Sequence, residues 1–181
     1  MKYGIIGTGA IGGYYGGKLA NDGQVVHFLM HRDFEYVKQH GLQVDSCDGS
    51  FHLDHVHAYA KTSEMPPCDV VLVCLKSTNN HLLQTFLPPL LHKETLVVLI
   101  QNGIGLEDDV QALFPNVALA AGLAFICSAK TEPGRVNHQC SSRQDVVRRP
   151  PLPSFGRVSI VVLTGSSAIS RFACATQRSF H

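Results

Sequence analysis

Six residues near the start of the chain restrict its fold more than any other feature. Gly7-Thr8-Gly9-Ala10-Ile11-Gly12 sets three glycines in a G-x-G-x-x-G array, between a short apolar run, Lys2–Ile6, and a stretch of helical spacing, Ala10–Asn21. In a strand–loop–helix unit each glycine has its own task. Gly7 admits a tight turn, Gly9 leaves the backbone bare where a pyrophosphate approaches, and Gly12 lets the helix lie close to its strand. Phosphates at such a place meet unpaired N–H groups and the positive end of the helix dipole. The array alone is a weak signal. In the first turn of a βαβ unit it predicts a dinucleotide site built from Gly7, Thr8, Gly9, Ala10, Ile11 and Gly12. Gly13, Gly16 and Gly17 extend the series and are expected to serve packing.

The following residues keep to the same alternation. Strands are expected over residues 24–30, 69–75 and 95–100, with a further one beginning at 117. Residues 69–75 (DVVLVCL) are apolar almost throughout, as a strand covered on both faces must be. Helices are expected over 33–40, closed by Gly41, and over 79–91 and 106–114, with Pro88-Pro89 bending or ending the second. Residues 42–45 and 51–56 flank Asp48-Gly49, a hairpin signal. The fold class is therefore α/β, a Rossmann-type doubly wound and mostly parallel sheet.

The end of the second strand bears on the choice of nucleotide. NAD-binding folds usually place an acid there for the adenosine ribose. Here the strand runs into His31-Arg32, and an arginine fork suits a 2′-phosphate, so NADP is the expected cofactor. Asp33 follows and offers the ribose an acid, which keeps NAD open. Two more loops lie where ligands bind such sheets, Leu75-Lys76-Ser77 and the segment from Gln101 to Gly105. Lys76 offers a cation and Asn102 an amide.

Composition breaks at residue 140. Residues 1–139 hold 9 Lys and Arg against 13 Asp and Glu, whereas 140–181 hold 6 against 1, and all seven lysines lie in the first part. The last part has eight serines and three prolines, and only residues 158–163 read as a strand. The expected division is a nucleotide-binding domain over 1–139 and an Arg/Ser/Pro-rich segment over 140–181, either a natural tail or a change of reading frame. The acidic first part argues against nucleic acid as a partner. No apolar run approaches the roughly 20 residues of a membrane span. Six cysteines without a CxxC pair, and a start that runs straight into a strand, are expected of reduced thiols in a cytoplasmic protein. His52, His55 and His57 lack an acid or cysteine at ligand spacing, so no metal site is expected.

Taken together, the motifs resemble the ketopantoate reductase (2-dehydropantoate 2-reductase) family. GTGAIGG at 7–13, Arg32, LKS at 75–77, QNGIG at 101–105 and FICSAKTEPGRVNH at 125–138 carry the likeness, which covers residues 1–139. The Glu132-Pro133-Gly134 element is the part that generic Rossmann proteins lack. The resemblance implies hydride transfer from NADPH to 2-dehydropantoate, giving pantoate for pantothenate and coenzyme A synthesis. It also implies that Arg32 holds the 2′-phosphate and that Lys76 and Asn102 contact the cofactor. Asn102 would reach the substrate as well, and Ser128 would make a backbone contact to the cofactor. The family's general acid is a lysine in a helical C-terminal domain. It has no counterpart here, since Lys130 is the last lysine, so the catalytic residue stays unknown. A dehydrogenase of another small 2-keto or 3-hydroxy acid, or a non-catalytic NADPH-binding module, are the alternative readings.

Overall fold

A computed structural model describes residues 1–103, 105–124 and 126–139, together with the backbone of 159–163. In chain order the elements are β1 (Lys2–Ile6), α1 (Ala10–Asn21), β2 (Val25–Leu29), α2 (Phe34–His40), β3 (Leu42–Ser46), β4 (Phe51–Leu53), β5 (His57–Tyr59) and β6 (Val70–Val73). Then follow α3 (Leu83–Phe86), β7 (Leu96–Leu99), α4 (Leu106–Leu113), β8 (Ala118–Ala124), β9 (Cys127–Glu132), β10 (Arg135–Gln139) and β11 (Ser159–Leu163).

Seven strands form one parallel sheet in the order β11-β8-β7-β6-β1-β2-β5. The expected Rossmann architecture is therefore the observed one. Alternate residues of its strands feed two cores. Ile5, Phe28, Val70, Leu72 and Val98 face α1. Ile6, Val71, Val73, Val97 and Leu99 face the opposite side, with Leu83, Leu87, Leu90 and Val110. Burial on both faces explains why these strands read as unbroken apolar runs. Among the described residues no helix is long and apolar enough to cross a membrane.

A second sheet, β4-β3-β10-β9, covers the far side of α1. Its β3–β4 pair is the expected hairpin, with Gly49 at φ +110° in the turn. The two sheets explain the glycine-rich helix. A Cβ on Gly16 would lie 2.5 Å from Phe28 Cε1 of the parallel sheet, and one on Gly13 would lie 2.7 Å from Val136 Cγ2 of the second. Gly12 and Gly16 thus open one face of α1, while Gly13 and Gly17 open the other, each pair one helical turn apart. Residues Gly12 to Leu19 are all buried.

Three expectations change. Residues 51–56 do not form one strand: the hairpin arm ends at Leu53, and the chain crosses to pair β5 with β2. Residues 79–91 do not form one helix but a 3-10 turn (Ser77–Leu82), the single turn α3, and a second 3-10 turn (Pro88–Leu90). Two successive prolines supply no N–H to extend a helix. Finally, Cys68, Cys74 and Cys127 are free thiols as expected, but Cys47 is disulfide-bonded. The reading-frame question falls on residues 140–158 and 164–181, which lie outside the described residues.

One buried group makes stability depend on pH. His27 on β2 is 6% exposed, accepts or donates one bond to Tyr59 Oη at 3.1 Å, and has no partner at Nε2. Burial, then the neighbouring His57 and Lys2, hold its pKa below the ordinary value of 6.5. The unfolded chain therefore takes up a proton that the folded protein resists. Stability is full above the unfolded value and is lost as pH falls from there toward the depressed one. Melting temperature is expected to drop between about pH 7 and about pH 5. His27→Phe should flatten that slope, and an unaltered slope in the variant would assign the dependence elsewhere.

Candidate nucleotide-binding site

The register of the parallel sheet brings the separate motifs to one edge. Ile6 lies opposite both Leu29 and Val73, and Val73 lies opposite Leu99. The next residues, Gly7, Met30, Cys74 and Ile100, therefore start a common rim at the carboxyl ends of the strands. Arg32, Lys76 and Asn102 stand two residues farther along their loops. The order of strands reverses between β1 and β6, and a doubly wound sheet binds its ligand at that switch point.

The glycine loop has the geometry its spacing predicts. Gly7 has φ +93°, and a Cβ there would meet the backbone nitrogen of Leu75 at 2.8 Å. A Cβ on Gly12 would come within 2.3 Å of the Gly7 carbonyl oxygen. Gly9 differs: nothing lies within 4 Å of its Cβ position, so its bareness serves no packing. Gly9 is also the N-cap of α1, and no side chain caps the helix. The first-turn amides of a helix have no intrahelical partner. Thr8 Oγ1 donates to the Leu29 carbonyl at 2.9 Å, fixing the loop to the end of β2. Ser128 Oγ donates to the Ala10 carbonyl at 3.2 Å, bracing the helix start from β9. Ile11 packs against the core beside α1.

Arg32 and Asp33 divide the end of β2 between them. Arg32 is exposed and makes no ion pair with a described residue. Asp33 is 8% exposed, and its carboxylate is engaged by Lys130 and by the backbone N–H of Gly134, 3.1 Å away. Gly134 is the glycine of the Glu132-Pro133-Gly134 element and has φ +66° in the β9–β10 turn. Thus the acid that kept NAD open in the sequence is occupied by the turn. Arg32 beside it makes no ion pair with a described residue.

Beyond β7, the motif assigns Asn102 to ligand contact and gives its neighbour Gln101 no role. Gln101 Nε2 donates to the Leu75 carbonyl at 2.8 Å and to Asn80 Oδ1 at 2.7 Å, and Asn80 Nδ2 donates back to Gln101 Oε1 at 3.2 Å. This clamp joins the loops after β6 and β7. Asn102, next to it, stays exposed, as does Lys76. Nothing in the local sequence pairs Gln101 with Asn80, 21 residues away.

The described residues bring Cys47, Asp48 and His138 within 4.8 Å of one another. The Cys47 sulfur is in a disulfide, so it offers no thiolate to a metal. His57 packs its ring 5.2 Å from His27, while His52 bonds Gln43.

The sequence profile described as ketopantoate reductase PanE/ApbA matches residues 3–148. The chain belongs to the ketopantoate reductase family. A 2-dehydropantoate 2-reductase of Nostoc sp. is 49% identical over 137 residues, covering 76% of this chain and 43% of that protein. The crystal structure of 2-dehydropantoate 2-reductase from Geobacter metallireducens superposes with TM-score 0.74 at 40% identity, covering 78% of this chain and 47% of the other. D-mandelate dehydrogenase, solved in a ternary structure with NADH and anilino(oxo)acetate, gives TM-score 0.68 at 25% identity over 78% and 46%. The chain spans about half the length of the ketopantoate reductases it matches.

Proposed function

We propose that residues 1–139 form the NADPH-binding domain of a cytoplasmic 2-dehydropantoate 2-reductase, to whose parallel sheet β11 adds an edge strand beside β8. In this reading the Gly7–Gly12 loop and the first turn of α1 hold the pyrophosphate. Arg32 takes the 2′-phosphate, and Lys76 and Asn102 contact the cofactor from the neighbouring loops, with Ser128 beside the start of α1. Asn102 also reaches the small keto-acid substrate. NADPH, when bound, supplies a hydride to the keto carbon of 2-dehydropantoate. The chain's own part is to fix the dinucleotide at the switch point and to present an amide there. Relatives carrying the 2-dehydropantoate 2-reductase name support the substrate.

The observation that carries the cofactor choice is the division of labour at β2, where Arg32 makes no ion pair with a described residue and Asp33 is engaged by Lys130. A guanidinium matches a dianion with charge-assisted, paired hydrogen bonds. Such a pair is worth about 1.5–3 kcal/mol, or roughly ten- to a hundredfold in affinity. Arg32→Ala is therefore expected to weaken NADPH by that factor and to leave NADH nearly unchanged. Fluorescence titration of both nucleotides checks this, and equal losses for the two would remove Arg32 from the 2′-phosphate.

A further inference from the structure

Resting on the reading that Arg32 takes the 2′-phosphate, we propose that Lys130 is a positioning residue for nucleotide choice. It holds the Asp33 carboxylate against the β9–β10 turn, away from the adenosine ribose, and so commits the chain to the phosphorylated dinucleotide. Three observations carry this. Asp33 directly follows Arg32 at the end of β2, where an acid otherwise serves the ribose hydroxyls. Its carboxylate is almost wholly buried, bound by Lys130 Nζ and by Gly134 N–H. The turn that does the holding is itself rigidly seated. Gln43 N–H donates to the Gly134 carbonyl at 2.8 Å, and a Cβ on Gly134 would lie 2.8 Å from Tyr36 Cδ1 of α2.

The electrostatic consequence is direct. The Asp33–Lys130 pair is neutral as a unit, so the Arg32 charge stands uncancelled at the rim. Without Lys130, the Asp33 charge would oppose Arg32 one residue away and repel a phosphate dianion. A carboxylate released from its partner is also poorly satisfied in a buried place and gains by turning outward to water or to ribose hydroxyls. The second sheet therefore acts on the nucleotide through a residue that need not touch it.

The test measures dissociation constants for NADPH and NADH by fluorescence titration of the 181-residue chain, with circular dichroism to confirm folding. Lys130→Met is expected to lower the NADPH-over-NADH preference about tenfold, through weaker NADPH and tighter NADH. Lys130→Arg, which keeps the charge, should retain the preference. The double variant Lys130→Met with Asp33→Asn should recover it, because the opposing charge is gone. A merely structural role for the pair would instead weaken both nucleotides alike and leave the double variant no better. Should Lys130→Met not fold, Lys130→Gln keeps a hydrogen bond to the carboxylate without the charge, and an unchanged preference there overturns the proposal. If Arg32→Ala abolishes the preference while the Lys130 variants leave it intact, only the role of Lys130 fails. If Arg32→Ala also has no effect, the 2′-phosphate reading fails with it.

Discussion

A polypeptide of residues 1–181 is expected to bind NADPH yet to reduce 2-dehydropantoate at least about a hundredfold more slowly than a full-length ketopantoate reductase. Hydride addition to the keto carbon leaves charge on oxygen, and a positioned general acid contributes about a hundred- to ten-thousandfold to such a step. Five of the seven lysines already have a partner or a proposed place. Lys130 is bound to Asp33, and Lys76 lies in the loop after β6, where the proposed function gives it to the cofactor. Lys18 and Lys38 lie over the rings of Phe51 and Phe34, and Lys93 pairs with Glu94 beside the amino end of β7. Beyond residue 130 the cations are arginines, which hold their protons too tightly to donate them. NADPH oxidation would be followed for this polypeptide and for a chimera. In the chimera, residues 140–181 give way to the corresponding C-terminal part of the Nostoc relative. Comparable turnover by the two would place a proton donor within these 181 residues. Binding without turnover by the first, with turnover by the second, is the expected pair.

The second large effect separates two glycines that the sequence writes alike. Gly9→Val is expected to abolish measurable NADPH binding, a loss of more than about a hundredfold, while leaving the melting temperature unchanged. Space surrounds the Gly9 Cβ position, so the new side chain harms no packing and enters the open space at the start of α1. Gly12→Val should do the opposite. Its Cβ would press on the Gly7 carbonyl, on Ile5 Cγ2 at 3.0 Å and on Cys74 Cβ at 3.2 Å. With backbone on one side and core on the others, relief requires moving α1 off its strand, at a cost of about 3 kcal/mol or more. Thermal melts and NADPH titration of the two variants distinguish the roles. A folded Gly9→Val protein with natural affinity would remove the pyrophosphate from this loop.

Much of this protein was legible before any coordinate. The short apolar run and the helical spacing that follows it placed β1 and α1 to the residue. The glycine spacing assigned tasks to Gly7 and Gly12 that the geometry repeats, since close backbone approach leaves room for no other residue type. Motif order alone put Arg32, Lys76 and Asn102 near the strand ends. Tertiary structure decided the rest, in each case where a partner lies far along the chain. That Gly13 and Gly17 face a second sheet depends on Val136 and Val44 folding over α1, which no local pattern around residues 10–21 announces. Gln101 is taken by Asn80, and Asp33 by Lys130 and Gly134, roughly a hundred residues on. Polar side chains are assigned by whichever donors and acceptors arrive beside them. Sequence determined which polar residues stand at the strand ends, and folding decided which of them were engaged there, because a carboxylate already satisfied by an ammonium and an amide has little left to offer a further donor.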